Sequence, residues 1–171
     1  MKQVILSLGS NLGDRLLYLR KALETIGRLE KTRIVKYSWI YKTEPVGKQD
    51  QPYFLNAAVE IETDHPPHDL IRLLKEVEIK IGRRHTERWG PREIDLDILY
   101  YDKLILHDAE LQIPHPELYN RRFALIMVSD LNPLFLDPGK QETLQNLLAQ
   151  CSDKSSVQKT ECSLQSIFIE S

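Results

Sequence analysis

The stretch from Arg88 to Asp102, RWGPREIDLDILYYD, limits the possible folds more than any other part of the chain. Gly90-Pro91 is a turn signal, and from Ile94 onward apolar and charged residues alternate before the run becomes wholly apolar. A strand entering a core reads this way, so a strand is predicted over 93–101. Alternate side chains of a strand share a face, which puts Asp95 and Asp97 on one side and Ile94, Leu96 and Ile98 on the other. Two carboxylates side by side repel, and bound hard cations supply a reason to keep them together. Magnesium takes one or two carboxylates and completes its shell with waters and substrate phosphate oxygens.

Arg83, Arg84, Arg88 and Arg92 stand around the acids. A guanidinium grips phosphate oxygens at two points, so acids for metal beside arginines for phosphate make a phosphoryl-transfer site. The same spacing also fits a half-exposed edge strand whose acids form plain salt bridges with nearby arginines. Spacing alone leaves both readings open.

The rest of the chain supplies the frame. Val4 to Leu8 reads as a buried strand, broken by Gly9-Ser10-Asn11-Leu12-Gly13-Asp14. Leu16, Leu19, Leu23 and Ile26 then recur at helical spacing, with Asp14 placed to cap the start and Gly27 the end. The glycine-rich turn lacks the Gly-Lys-Ser/Thr ending of a phosphate loop, and as chemistry it reads as a connector. Thr32 to Thr43 is rich in β-branched and aromatic residues and is predicted as one long strand. A two-proline loop over 44–52 is longer than a hairpin needs, and loops of that kind are often functional. Tyr53 to Glu62 returns as a strand paired with the previous one. Asn56 within it offers a donor and an acceptor together, as a heterocycle edge requires, though a hydrogen-bonded core amide reads the same. His65-Pro66-Pro67 opens a helix that runs to Ile81 and stops at Gly82. Lys103 to Leu106 is expected to prolong the central strand, and Leu144, Leu147 and Leu148 to form a last short helix. The expectation is one domain over 1–150 and a polar, partly ordered tail over 151–171.

The order strand, helix, strand, strand, helix, strand is the ferredoxin-like βαββαβ arrangement. The predicted class is therefore α+β, a mainly antiparallel sheet with helices packed on one face and C-terminal additions. With 23 basic and 25 acidic residues in 171, the net charge of -2 gives no general pull toward nucleic acid or membrane, so any anion site is local. No apolar run reaches the length of a membrane span, and the expected location is the cytoplasm. Cys151 and Cys162 read as free thiols.

Arg88-Trp89-Gly90-Pro91-Arg92 followed by Asp95-Leu96-Asp97 resembles the signature of the 6-hydroxymethyl-7,8-dihydropterin pyrophosphokinases, which move pyrophosphate from ATP to a pterin alcohol in folate synthesis. Leu8-Gly9-Ser10-Asn11-Leu12-Gly13 is similar to the family's opening and carries no catalytic role. Thr43-x-Pro45-Val46-Gly47, then Gln51-Pro52, Phe54 and Asn56, is similar to its pterin-binding loop and strand. Ile113-Pro114-His115-Pro116 with Arg121 and Phe123 resembles the stretch that touches ATP phosphates and the second face of the pterin. The resemblance implies ATP as co-substrate and two magnesium ions on Asp95 and Asp97. It implies Arg83 and Arg92 at the transferring group, and Glu78, Trp89, Ile98, His115 and Arg121 at the nucleotide, where Arg84 is expected to join them. Thr43, Pro45, Val46, Phe54, Asn56 and Phe123 are implied around the pterin. One departure stands out: the family pattern Gly-Arg-x-Arg has His85 in its second arginine place here, with Arg84 one residue early. Met127-Val128 replaces the usual Pro-Leu pair, a change expected to be one of packing. The rivals are a nucleotidyltransferase that attacks the α-phosphorus and a ferredoxin-like RNA-binding module. The latter lacks the aromatic strand signature of an RNA-recognition motif.

Overall fold

A computed structural model of the chain describes residues 1–84 and 87–169. Its frame is an antiparallel sheet in the order β5-β1-β4-β3-β8, where β8 is Val157–Ser163, with β2 (Thr32–Tyr37) also paired to β4. β1 (Lys2–Ser10) and β4 (Phe54–Thr63) are central, flanked by β5 (Asp95–Tyr101) and β3 (Trp39–Thr43). With α1 (Arg15–Gly27) and α2 (Pro67–Ile81) as the two crossovers, this is the ferredoxin-like plan.

Both helices lie on one face of the sheet. Leu19, Ala22, Leu23 and Ile26 of α1 and Leu70, Leu74 and Val77 of α2 meet Val4, Leu6 and Leu8 of β1 and Leu96 and Ile98 of β5 in a single core. Asp14 caps α1 by accepting from the Leu17 amide at 3.1 Å, as its type and position demand. Gly82 ends α2 at φ +120°, a conformation that glycine adopts without strain.

The C-terminal additions cover the opposite face. α3 (Arg122–Leu131) and α4 (Leu144–Gln150) pack on Ile5, Ala58, Leu99 and Tyr100. Met127 and Val128 are both fully buried there, so this pair packs against the sheet. Because helices lie on both sides, β4 is buried along nearly its whole length. Beyond α4, β8 (Val157–Ser163) adds to the edge of β3, and α5 (Leu164–Ile169) returns Leu164 to the first core. Cys151 and Cys162 are free and half-buried.

Three boundaries differ from the expected ones. The long strand over 32–43 is divided at Ser38 into β2 (Thr32–Tyr37) and β3. Tyr37 faces Val59 and Tyr41 faces Asn56, so four steps on one strand meet three on the other and one residue is extra. The buried Ser38 hydroxyl makes this bulge tolerable by accepting from the Ala58 amide at 2.8 Å. β5 begins at Asp95 in place of Glu93. It also stops at Tyr101, because Asp102 turns the chain at φ +50°. β6 (Leu106–His107) then pairs with β7 (Gln112–Ile113) in a separate hairpin.

Asp137 fastens the second core. It is fully buried and accepts from the hydroxyls of Tyr100 and Tyr119 and from the amides of Gly139 and Lys140, the last at 2.7 Å. Asp137→Ala leaves the buried Tyr100 hydroxyl and two amides without their acceptor, an expected loss of about 2–4 kcal/mol in urea unfolding. Burial first, and then the Asp137 carboxylate, raise the proton affinity of both phenols above the usual 10.0. Groups whose folded pKa is raised stabilise fully below the unfolded pKa and lose that contribution as pH climbs toward the folded one. Stability should therefore decline above about pH 10, and more shallowly in Tyr100→Phe. A parent curve that stays flat to about pH 11 would contradict the assignment.

Candidate active site

A cavity of about 390 Å³ opens on the sheet face opposite α1 and α2, beside the start of α3. Its floor follows from strand register. Gly9 pairs with Asn56 on one side and Asp95 on the other, while Ser7 pairs with Ala58 and Asp97. The small residues Ser7 and Gly9 of β1 thus form the floor between two acids at the edge and an amide further in.

Asp95 is held by two cations. Arg92 Nη1 reaches its Oδ2 at 2.7 Å, and Arg83 Nη1 reaches its Oδ1 at 3.1 Å while also pairing with Glu78 at 2.7 Å. Burial alone would raise its pKa, but Lys75, Arg92 and Arg83 outweigh burial and hold it below the ordinary range. Asp97 differs. Its neighbours are Lys75 Nζ at 3.4 Å and His115 Nε2 at 3.9 Å, and burial plus the Asp95 charge push its pKa up. The two carboxylates share a face as predicted but not an environment: Asp95 is neutralised, and Asp97 carries charge that the protein leaves under-compensated.

A hard cation fits this donor set. Among the described residues no group of three or more His, Cys, Asp or Glu is gathered to hold a metal. A cation here would draw its remaining ligands from water and phosphate oxygens, the pattern of magnesium.

The opposite wall is cationic and aromatic. Arg121, at the α3 N-terminus, has its buried Nε without a hydrogen-bond partner, and among the described residues it forms no ion pair. Arg121 also lines the cavity, where a guanidinium is suited to bind an anion. His115 Nδ1 accepts from the Glu117 amide at 3.1 Å, which leaves the ring proton on Nε2, toward Asp97. Burial chiefly, with Arg121 adding, lowers its pKa below the usual 6.5 despite the pull of Asp97. Phe54 and Phe123 line the inner end with Thr43, Val46 and Asn56. Asn56 donates from Nδ2 to Thr43 Oγ1 at 2.7 Å, and among the described residues its Oδ1 takes no bond.

The rim comes from two loops that grip each other. Trp89 packs against Gly47, Gln51 Nε2 donates to the Trp89 carbonyl at 2.9 Å, and Lys48 pairs with Glu87 at 2.6 Å. Buried Asn11 holds both loops: its Nδ2 donates to Gln51 at 2.9 Å and to the Pro52 carbonyl, and its Oδ1 accepts from the Arg92 amide at 2.8 Å.

The cavity therefore unites Thr43, Val46, Phe54, Asn56, Trp89, Arg92, Asp95, Asp97, His115, Arg121 and Phe123. Glu78 and Arg83 stand behind Asp95 as supports. Pro45 is buried beside the cavity and does not line it, its carbonyl accepting from Gln49. Ile98 has its side chain in the core under α1 and α2, so it can offer a ligand only its main chain. The Arg84 side chain is exposed and does not line the cavity, and its amide reaches Glu93 at 3.4 Å. His85 lies outside the described residues. Sequence reasoning missed Lys75, Asn11 and the floor residues Ser7 and Gly9. The i,i+3 pair Lys75 and Glu78 beside the apolar stripe of α2 was the available signal for the first, and nothing local marked the others.

A ferredoxin-like sheet carrying paired acids on an edge strand, opposite a free guanidinium, defines a phosphoryl-transferring enzyme. The chain belongs to the 7,8-dihydro-6-hydroxymethylpterin-pyrophosphokinase (HPPK) family, which it matches over residues 5–133. It is 42% identical over 126 residues to the 2-amino-4-hydroxy-6-hydroxymethyldihydropteridine pyrophosphokinase of Bacillus subtilis, covering 74% of this chain and 75% of that one. The Methylorubrum extorquens protein of the same description is 37% identical over 161 residues, 94% of this chain and 100% of its own length. Among solved structures, Plasmodium falciparum HPPK-DHPS with pterin and p-hydroxybenzoate superposes with a TM-score of 0.70 at 18% identity, over 87% of this chain. The chain spans 41% of that protein, and the likeness concerns the fold. Among the described residues no helix is long and apolar enough to cross a membrane.

Proposed function

We propose that the chain transfers pyrophosphate from ATP to 6-hydroxymethyl-7,8-dihydropterin, giving AMP and the pterin diphosphate, a step of folate synthesis. The observation that carries this reading is the register row Asp95, Gly9, Asn56 across β5, β1 and β4. Two strand spacings, about 10 Å, separate the acids from the amide. That distance suits a flat bicycle read at its far edge by Asn56 while its hydroxymethyl arm reaches toward the acids.

The chain's own residues have distinct tasks in this reading. Phe54 and Phe123 take the two faces of the pterin, and Asn56 Oδ1, Thr43 and the main chain near Pro45 and Val46 pair with its polar edge. Arg121, His115, Arg92 and Trp89 hold the nucleotide, with the Ile98 main chain beside them and Arg84 reaching in only by a swing of its side chain. Arg83 stands at the transferring group and keeps Asp95 ionised. Two magnesium ions, held by Asp95 and Asp97 with phosphate and water oxygens, would supply charge neutralisation and in-line alignment.

The test is to incubate the protein with ATP and magnesium, with and without the hydroxymethyl pterin, and to separate the products by chromatography. AMP that forms only with the pterin is the expected result. Release of free pyrophosphate with a nucleotidylated pterin would establish attack at the α-phosphorus and overturn the assignment.

A further inference from the structure

The Lys75 ammonium lies against the acid pair without being part of the strand that carries it. Its Nζ is 3.4 Å from Asp97 Oδ1 and 3.9 Å from Asp95 Oδ1, and it also donates to Glu78 Oε1 at 2.9 Å and to the Leu96 carbonyl at 2.7 Å. Leu96 sits between the two aspartates on an edge strand. Its outward amide is taken by Glu78 Oε1 at 2.7 Å and its outward carbonyl by Lys75, so one pair of α2 side chains satisfies both.

From these contacts we infer that Lys75 is a built-in counter-cation of the Asp95 and Asp97 pair, which must give up Asp97 to an arriving divalent cation and so sets the cation affinity of the free site. The inference rests on the metal reading proposed above. Arg83 and Arg92 saturate Asp95, whereas the Lys75 contact with Asp97 is the longest of its three hydrogen bonds and the one it can release while keeping Glu78 and Leu96. A lysine suits this task. Its charge is a compact point on a flexible stem, and its side chain is half-exposed, so it can withdraw a short distance without burying an unpaired charge. A divalent ion beside Asp97 then meets a fixed unit of positive charge a few ångströms away, which weakens its binding.

Manganese serves as the probe, its binding to the full-length protein without nucleotide followed by electron paramagnetic resonance and calorimetry. Lys75→Gln keeps a donor for Leu96 but removes the charge, and it should bind Mn2+ on the order of ten-fold more tightly than the parent at low ionic strength. Lys75→Arg keeps the charge and should stay near the parental affinity. The metal-free Lys75→Gln protein should melt lower than the parent and recover more on adding Mn2+. Parental or weaker binding by Lys75→Gln, with the parent itself binding through Asp97, would reduce Lys75 to a tie for the strand edge and overturn this inference alone. Mn2+ binding that is absent from both proteins, or unchanged by Asp97→Ala, would overturn it together with the metal reading.

Discussion

Asp97→Ala is expected to abolish AMP formation, by about three orders of magnitude or more, while leaving the protein at least as stable as the parent. The two halves of this expectation share one cause. In the free protein Asp97 is held at a raised pKa by burial and by Asp95, so its ionised form is disfavoured by folding. A carboxyl whose folded pKa lies above the unfolded value costs stability once pH exceeds both, and removing it returns that cost. Thermal melting in a chelator at neutral pH should therefore show an equal or higher midpoint for Asp97→Ala, with the advantage shrinking as pH falls and the parental carboxyl takes up its proton.

The partner acid should behave oppositely in the same melting experiment. Asp95→Ala strips Arg83 and Arg92 of their common carboxylate, and both guanidiniums are mostly shielded from solvent. It should lose activity as severely as Asp97→Ala and also melt below the parent. Equal midpoints for the two variants would mean that the asymmetry of the pair is illusory, and near-normal AMP formation by Asp97→Ala at ordinary magnesium would end the metal assignment.

The sequence disclosed what depends on local periodicity. Alternation about Asp95 and Asp97 predicts a shared face whatever the strand pairs with, and the structure shows that face lining the cavity. The stripes of α1 and α2 likewise predict which sides are buried. What could not be read is what depends on a distant partner. The bulge at Ser38 exists because its hydroxyl accepts from the Ala58 amide, and no feature of residues 32–43 announces a donor twenty residues away. Lys75 looks like any solvated helix lysine until β5 comes alongside, and Asn11 like a loop residue until the segments around Gln51 and Arg92 close on it. The weak alternation of 157–163 is the pattern of an edge strand with one wet face, too faint to outweigh its polar composition. Arg84 is the reverse case. Its place in a motif suggests a phosphate clamp, yet its side chain points to solvent in the free protein.

Gly9 illustrates this limit most sharply, since its segment reads as a connector and the register makes it the floor of the cavity between Asp95 and Asn56. A Cβ on Gly9 would fall inside 3.0 Å of Asn56 Oδ1, with Phe54 Cδ1 at 3.6 Å behind it. Asn56 is buried and tethered to Thr43, so it can clear the methyl only by breaking that 2.7 Å bond and turning away from the site. Gly9→Ala should therefore weaken pterin binding by about 1–3 kcal/mol in calorimetry, the range expected when polar edges lose their partners, and spare ATP. It should also destabilise the fold by about 1–3 kcal/mol through overpacking. The decisive comparison is with Asn56→Ala, which removes the atom in the way. Introduced into that background, Gly9→Ala should cost little further in either assay, because the two changes act on one contact and cannot add. Full additivity in the double variant would show that the glycine is required for some other reason and that Asn56 is not held by the floor beneath it.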